Sequence, residues 1–572
     1  MIDKLVKVRD RGYIGELLHG SIKSLTHYFA VPKGDKDIRM VYDMTASGLN
    51  KALWAPKFWM PTATNIIDCS TDNKWFGDVD AGEMFLNFPL DRRIRKYCGI
   101  DLSWMSEDGG TLWECWNRMA MGMCPSPWVT IRLLMWMMEI VIGNHLEISN
   151  PFCWDHVVMS LPGNPNYDPG MPWVYKWNNM ASTIACDCKF FCDDFRITGP
   201  NEMLTKRATH RLETTMSYLG MQDATRKRRK VTKRPGEWTG SILITIKDVG
   251  LFITVSQKKW DRAKLILRKW HNRIILSGGT KVNYKELESD LGYLVHLSMS
   301  YSNMKPFLKG FYSTLNGWRP DRDEKGWKLS FKAYQHYLQL GRRSESQNDY
   351  MEINDETEDD GAPETVPVLP LMLDHTKVLM DMFANEQPVL LLKRCCSRFE
   401  AMYVFGDASG LGFGSSSWVV GERLNYRYGV WGLSTGEDSS SNYRKLRNLV
   451  ESLEKSGSSG QLDGKEVFLF TDNSTAEAVA SKGSSTSPLL YELIVRLFKL
   501  STTFLCSIQV IHISGTRMIR QGTDGFSRGD MLEGVLKGRD MLSFVPLHLS
   551  ALERETFRLD IRMDHAEGIQ DR

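Results

Sequence analysis

The sequence has no Cys-x-x-Cys pair spaced with histidines, although it holds eleven cysteines, so no zinc site is expected. The closest pairs, Cys186 with Cys188 and Cys395 with Cys396, stand isolated. All of the cysteines read as reduced thiols, as in a cytosolic or nuclear protein. A long apolar run is also missing. The most apolar stretch, residues 133–142, is too short to span a bilayer and contains Glu139. It therefore reads as a buried helix, and no membrane partner is expected. No basic, apolar leader opens the chain. Net charge is nearly absent too: 72 Lys and Arg against 69 Asp and Glu leave +3. Apolar content of 42% and charged content of 25% are ordinary for a soluble globular protein. The 572 residues leave room for three or more domains.

The charge that is present is unevenly placed. Arg226, Lys227, Arg228, Arg229, Lys230, Lys233 and Arg234 form one basic run, which reads as a patch that tracks phosphates. Residues 344–367 gather Glu345, Asp349, Glu352, Asp355, Glu356, Glu358, Asp359, Asp360 and Glu364 with few apolar residues. That composition reads as a disordered linker between domains.

Two adjacent carboxylates lie in an apolar frame, Phe190-Phe191-Cys192-Asp193-Asp194-Phe195-Arg196-Ile197. The pattern predicts a tight hairpin between buried strands with both acids at the turn. Like charges that close repel, so without a cation one acid tends to protonate. Mg²⁺ meets this need because it binds one or two carboxylates plus substrate phosphates. Upstream, Asp78 and Asp80 alternate with apolar residues in Trp75-Phe76-Gly77-Asp78-Val79-Asp80 and so share one face of a predicted strand. A two-metal site draws carboxylates from separate places in the chain.

These segments resemble the palm of a reverse transcriptase. Asp80 stands five residues before Phe85 and nine before Pro89, as the family's first catalytic aspartate stands before an aromatic and a proline. Phe191-Cys192-Asp193-Asp194 resembles the Tyr-x-Asp-Asp box, with Phe in place of Tyr. Met119-Ala120-Met121-Gly122-Met123-Cys124-Pro125 resembles the segment under template and nucleotide. Phe29-Ala30-Val31-Pro32-Lys33 and Ile38-Arg39-Met40-Val41-Tyr42-Asp43 resemble the fingers hairpin that grips a triphosphate. Glu237-Trp238-Thr239-Gly240-Ser241 resembles the hairpin that grips the primer terminus. The resemblance implies that Asp80, Asp193 and Asp194 hold Mg²⁺, with Mn²⁺ as substitute. It implies dNTP contacts from Lys33, Arg39, Phe85, Met121 and Gly122, and a primer grip at Trp238, Thr239 and Gly240. Phe85 is then the residue that excludes a ribose 2′-hydroxyl, and Lys230 a candidate proton donor to pyrophosphate.

Further on, Asp407 ends one apolar run, Asp472 ends another, and Asp524 lies near a predicted helix start. The spacing resembles a ribonuclease H domain, which implies that Asp407, Asp472 and Asp524 are catalytic and metal-binding. The family's fourth acid, a glutamate in the first helix, is replaced by Lys445; Glu437 and Glu451 are near it in sequence but not at the matching position. A cation there repels a metal ion and pairs with an aspartate instead, so ribonuclease activity is expected to be impaired.

The resemblance runs from about residue 20 to about 530 and is closest in wording to retrotransposon polyproteins of the DIRS-like or LTR type. The fold class expected is α/β and α+β multidomain. Fingers cover 1–75, and palm 76–245 with a loop-rich insertion at 143–177. Thumb and connection cover 246–343, where residues 258–275 and 284–297 are amphipathic. The linker follows at 344–367, a ribonuclease H-like unit at 368–535 and a tail at 536–572. Expected partners are an RNA template, a DNA primer, an RNA–DNA hybrid and dNTPs. The expected location is cytoplasm, nucleus or a retroelement particle. The alternative is a decayed or domesticated element protein that binds nucleic acid without turnover.

Overall fold

The computed structural model describes residues 2–17, 20–33, 37–56, 58, 75–162, 167–222, 230–234, 236–339, 361–432 and 440–531, without the side chains of residues 33, 37 and 336–339. The expected acidic linker over 344–360, the core of the basic run and the tail lie outside the described residues.

An N-terminal helix, Ile2–Asp10, packs through Leu5 into a core with Tyr13, Met40, Tyr42 and Trp116. This core carries an antiparallel hairpin of His27–Lys33 with Asp37–Asp43. It also carries a small sheet in which Trp113–Trp116 lies between Ile14–Gly15 and Gly99–Asp101. The next core lies between a three-stranded antiparallel sheet and two helices. In the sheet, Asp194–Gly199 is central, flanked by Asp187–Phe191 and Trp75–Asp80. Val79, Phe190, Phe195 and Ile197 point to the helices Ser126–Ile142 and Glu202–Tyr218, meeting Leu134, Met138, Ala208 and Leu212. The alternate residues of the same strands are the acids. Only half of the apolar helix 126–142 is buried: Leu134, Met137, Met138 and Val141 face the sheet, while Leu133, Trp136 and Ile140 are exposed. Residues 133–142, expected as a buried helix, are buried on one face only. Among the described residues no helix is long and apolar enough to cross a membrane.

The hairpin Ile242–Ile246 with Gly250–Thr254 continues into the helix Gln257–Trp270, which ends in a π-helical turn over His271–Leu276. Tyr284–Leu297 is the second amphipathic helix. Their apolar faces share a core with Tyr301, Phe307 and Phe311, but also with Val366, Met372, Leu379 and Phe383. The acidic segment thus ends in order: Thr365–Pro367 pairs with Lys281–Asn283, and Val366 is fully buried. The helix Pro370–Met382 joins this core, and Leu391–Cys395 adds a strand to the 250–254 edge. The boundary expected at 368 falls inside this core. The reason is physical. The stripe Met372, Thr376, Leu379 announces a helix with one buried face, but periodicity does not name the face's partner.

The last unit is a five-stranded sheet in the order Asn425–Val430, Gly412–Val419, Ala401–Ala408, Glu466–Thr471, Ser507–His512. Its first two pairings are antiparallel and the last two parallel. All eight residues of Ala401–Ala408 are buried, as a strand covered on both faces requires. Met402, Val404, Val467 and Leu469 pack under the helices Ser441–Ser458 and Pro488–Thr503. Tyr403, Phe405, Phe468 and Phe470 pack on the opposite side against Leu161, Tyr167 and Trp173.

The second cover is the insertion of 143–177. It is not only loops: His156–Met159 and Val174–Asn178 are antiparallel strands, extended by Thr183–Ile184. Tyr167 reaches across and donates a hydrogen bond to Glu466 Oε1 at 2.9 Å. Arg394 donates to the Tyr167 hydroxyl at 2.8 Å, stands 3.6 Å from Glu466 and lies over the Trp173 ring at 4.6 Å. Burial pushes the Glu466 carboxyl up to about 7, against the opposing pull of Arg394. Between its ordinary value of 4.5 and about 7 the folded chain therefore holds a proton that the unfolded chain releases. Stability is expected to fall as pH rises through this window, by about 1.4 kcal/mol for each unit at most, and to level off above it. Denaturant titrations from pH 5 to 8 measure the slope. Glu466→Gln should flatten it, whatever it does to absolute stability, and an equal slope in the variant would assign the proton elsewhere.

Two candidate catalytic sites

The first site is made by strand register. Asp194 stands opposite Asp80, and Arg196 opposite Asp78. Directly opposed residues on antiparallel strands have Cα atoms about 4.5–5.5 Å apart, so the Asp80 and Asp194 carboxylates share one pleat. Cys192 turns the chain between the strands at a φ of 54°. This left-handed corner brings Asp193 beside them, and the Ala81 amide donates to the Asp193 carbonyl at 2.8 Å. Asp80 is buried; Asp193 and Asp194 are half-buried. Burial, then the charges of Asp193 and Asp194, hold the Cys192 thiol above its ordinary range. Asp78 behaves differently. Arg196 donates to both of its oxygens, at 2.7 and 2.9 Å, so this acid serves an ion pair.

Among the described residues, no group of three or more His, Cys, Asp and Glu side chains is arranged to hold a metal ion unaided. The donor set of Asp80, Asp193 and Asp194 is nonetheless three hard oxygen ligands at one end of the sheet. That suits Mg²⁺, which completes its shell with substrate phosphates and water. Phe85 follows on the 3₁₀ turn Met84–Asn87, half-buried against the N-terminal core. Ahead of this turn, Glu83 is held at a φ of 49°, accepting from Arg11 at 2.6 Å and from the Tyr13 hydroxyl at 3.1 Å. Gly122 has a φ of 101°, and a Cβ there would lie 2.4 Å from the Tyr42 carbonyl oxygen. Only glycine lets this segment close on the 37–43 strand. The Asn50 side chain clamps it further, donating to the Gly122 carbonyl and accepting from the Cys124 amide, both at 2.9 Å. Met121 is exposed beside it, and Arg39 is exposed on the 37–43 strand. Lys33 ends the 27–33 strand, and its side chain lies outside the described residues.

Trp238 bridges to Ser241 around Thr239 and Gly240, whose φ values of 50° and 90° make the tight two-residue turn of a hairpin. Lys259 donates to the Gly240 carbonyl at 2.9 Å and pairs with Glu237 at 2.7 Å. A bridge between Phe76 and Thr232 ties the start of this segment to the acid-bearing strand. Exposed Lys230, Lys233 and Arg234 flank it.

The second site lies at the ends of the five-stranded sheet. Asp407 is on the 401–408 strand, Asp472 follows the 466–471 strand, and Asp524 is in the first turn of the helix Thr523–Arg528. Lys445 projects among them from the helix 441–458. Its ammonium lies 2.7 Å from Asp407 Oδ1 and 2.6 and 2.8 Å from the two oxygens of Asp472. Burial opposes the charge of Lys445, but Asp407 and Asp472 outweigh it and hold the ammonium above its ordinary range. Burial, then a hydrogen bond with Asp524, raises the Asp407 carboxyl, and Lys445 pulls it back. Arg528 pairs with Asp524 at 2.9 Å. One turn past Lys445, buried Asn448 donates to the carbonyls of Asp407 and Gly414 at 2.8 and 2.7 Å, fixing the helix to the strands. Three acids already answered by two cations do not fit a pair of divalent ions.

Sequence reasoning had singled out Lys445 but missed Arg196, Asn448, Tyr167, Arg394 and Glu466. Arg196 was findable: strand alternation sets it two residues from Asp194, on the face that Asp78 and Asp80 share. The others act between segments far apart in the chain and leave no local pattern.

For the second site the expectation is direct. The parent chain should leave the RNA strand of an RNA–DNA hybrid uncut in Mg²⁺, and its thermal midpoint should not respond to Mg²⁺ through this unit. Lys445→Glu should lower the midpoint without divalent ions, recover it with them, and raise hybrid cleavage at least tenfold, about 1.4 kcal/mol in barrier. A parent that cleaves well, with cleavage unchanged in Lys445→Glu, would remove Lys445 from the site.

No protein-family model matches the chain, and no curated protein matches it. Solved structures with a similar chain course include the foamy viral protease-reverse transcriptase dRH in complex with double-stranded DNA. It aligns at a TM-score of 0.41 and 11% identity, over 89% of this chain and 69% of that one. The foamy viral protease-reverse transcriptase with an RNA/DNA hybrid aligns at 0.41 and 11%, over 89% of this chain and 53% of its own. The same enzyme with double-stranded DNA aligns at 0.40 and 12%, over 89% and 82%.

Proposed function

We propose that the chain is an RNA-directed DNA polymerase of a retroelement, with a ribonuclease H-like unit that holds nucleic acid without cutting it. The observation that carries this reading is the cross-strand pair of Asp80 and Asp194 with Asp193 at the adjoining turn. Mg²⁺ bound by Asp80, Asp193 and Asp194 would neutralise the triphosphate and lower the pKa of the primer hydroxyl.

The chain's own residues then have separable tasks. Arg39, with Lys33, is the cationic contact for the triphosphate. Gly122 lets the backbone lie close under the nucleotide. Phe85 fills the space beneath the sugar and rejects a 2′-hydroxyl by contact. The hairpin Trp238–Ser241 holds the primer terminus, and Lys230 is the candidate proton donor to the leaving pyrophosphate. Transfer of this kind is mostly positioning plus charge neutralisation. The proposed partners are an RNA template, a DNA primer, their hybrid and dNTPs. The ion-paired state of Lys445 supports the part of this reading that makes the C-terminal unit a binding module without turnover.

Primer extension on an RNA template with Mg²⁺ and dNTPs tests the main reading. Asp80→Asn and Asp193→Asn should each lower the rate by orders of magnitude while primer–template binding survives. Full activity in Asp193→Asn would falsify the assignment of the acids. Sugar choice supplies a separate test. Phe85→Ala should raise rNTP incorporation relative to dNTP more than it lowers the dNTP rate, since removing a clash relaxes specificity first. An unchanged ratio would move the sugar check to another residue.

A further inference from the structure

Arg196 is buried on the 194–199 strand, two residues beyond Asp194. Its guanidinium makes three kinds of contact at once. It donates to both oxygens of Asp78, directly across the sheet from it. It donates to the Gly236 carbonyl at 3.3 Å. Its central carbon lies over the Trp238 ring at 4.9 Å and over the Phe76 ring at 5.5 Å. Gly236 and Trp238 lead into the hairpin whose far side is held by Lys259 at Gly240 and by the Ser241–Ser300 hydroxyl pair at 2.6 Å. A charge pair for Asp78 alone would need only a lysine. The fork and flat face of arginine are what reach the acid, the carbonyl and the indole together.

We infer that Arg196 is a positioning residue that sets the distance between the primer-terminus hairpin and the acids, an inference that rests on the polymerase reading above. Through Asp78 it is fixed to the two strands that carry Asp80 and Asp194, one pleat away. Through Gly236 and Trp238 it holds the hairpin against those strands. A displacement of about 1 Å between reacting groups costs on the order of 100-fold in rate, so the link acts on the chemical step rather than on affinity.

The test uses the full chain with a primer–template duplex whose primer ends in a photo-crosslinking base. Single-nucleotide insertion at saturating dNTP, duplex Kd, thermal midpoint and the crosslinked peptide are read for the parent, Arg196→Lys and Asp78→Asn. In the parent the 3′ end should crosslink within 236–241. Arg196→Lys keeps the charge opposite Asp78; it should bind duplex within about threefold of the parent, insert at least about tenfold more slowly, and spread the crosslinks beyond the hairpin. Asp78→Asn loosens the anchor of Arg196 on the strands and leaves the residues of the hairpin in place, and it should show the same split between rate and affinity. It decides the matter if Arg196→Lys does not fold. Unchanged rate and crosslinks in the folded variants, a loss carried by Kd alone, or a parent without crosslinks in the hairpin would each overturn the inference. A parent that crosslinks there but inserts no nucleotide would instead remove the polymerase reading, and the crosslink contrast between parent and variants would still judge Arg196.

Discussion

The pairing register of two antiparallel strands is the constraint on which the first site depends. With Asp194 opposite Asp80 and Arg196 opposite Asp78, one face of the sheet carries charge and the other carries Val79, Phe195 and Ile197. A slip of one residue would send the acids into the helices 126–142 and 202–218 and expose the apolar set. The apolar core therefore enforces the geometry of the acids without touching them. The Asp78–Arg196 pair reinforces the same register from the polar side. Breaking a buried pair by removing one partner costs about 3–5 kcal/mol, since the other charge is left without compensation.

The second acid cluster resolves the same electrostatic problem differently. Carboxylates gathered at strand ends repel and drive one another toward protonation. Lys445 answers Asp407 and Asp472 from within the chain, and Arg528 answers Asp524. A cluster neutralised in this way is stable as folded and gains little from an added cation. Lys445 thus sets the charge balance of Asp407 and Asp472, as Arg528 sets that of Asp524.

Local features of this fold were legible in the sequence because local physics produces them. Alternation gave the 75–80 strand and its shared acid face, the paired acids gave the turn at Cys192-Asp193, and apolar periodicity gave the helix Tyr284–Leu297. Lys445 was visible as a cation where an acid was expected. What stayed hidden was which surface meets which. The helix Pro370–Met382 looked like the opening of the last unit but packs with the helices before the acidic segment. Residues 143–177 looked like loops because Pro162-Gly163-Asn164-Pro165 and Pro169-Gly170 dominate the reading. The strands around those turns were overlooked, and the far destination of Tyr167 has no signature in its neighbours.

That destination bears on how the two sites relate. A sheet strand buried on both faces needs two covers, and Ala401–Ala408 takes one from its own unit and one from the insertion that precedes the 187–191 strand. Separating the units would expose Tyr403, Phe405, Phe468 and Phe470 to water and strip Glu466 and Arg394 of their shared partner, Tyr167. Each of these losses is costly, since buried aromatics carry large apolar areas and a buried charge without its partners pays the full desolvation penalty. The insertion therefore acts as a strut. It leaves the helix 126–142 under the first acid cluster, seats on the sheet that carries the second, and returns to the strand that ends at Phe191, directly before the paired acids. The C-terminal sheet is thus joined to the Asp193–Asp194 turn by both packing and chain connection.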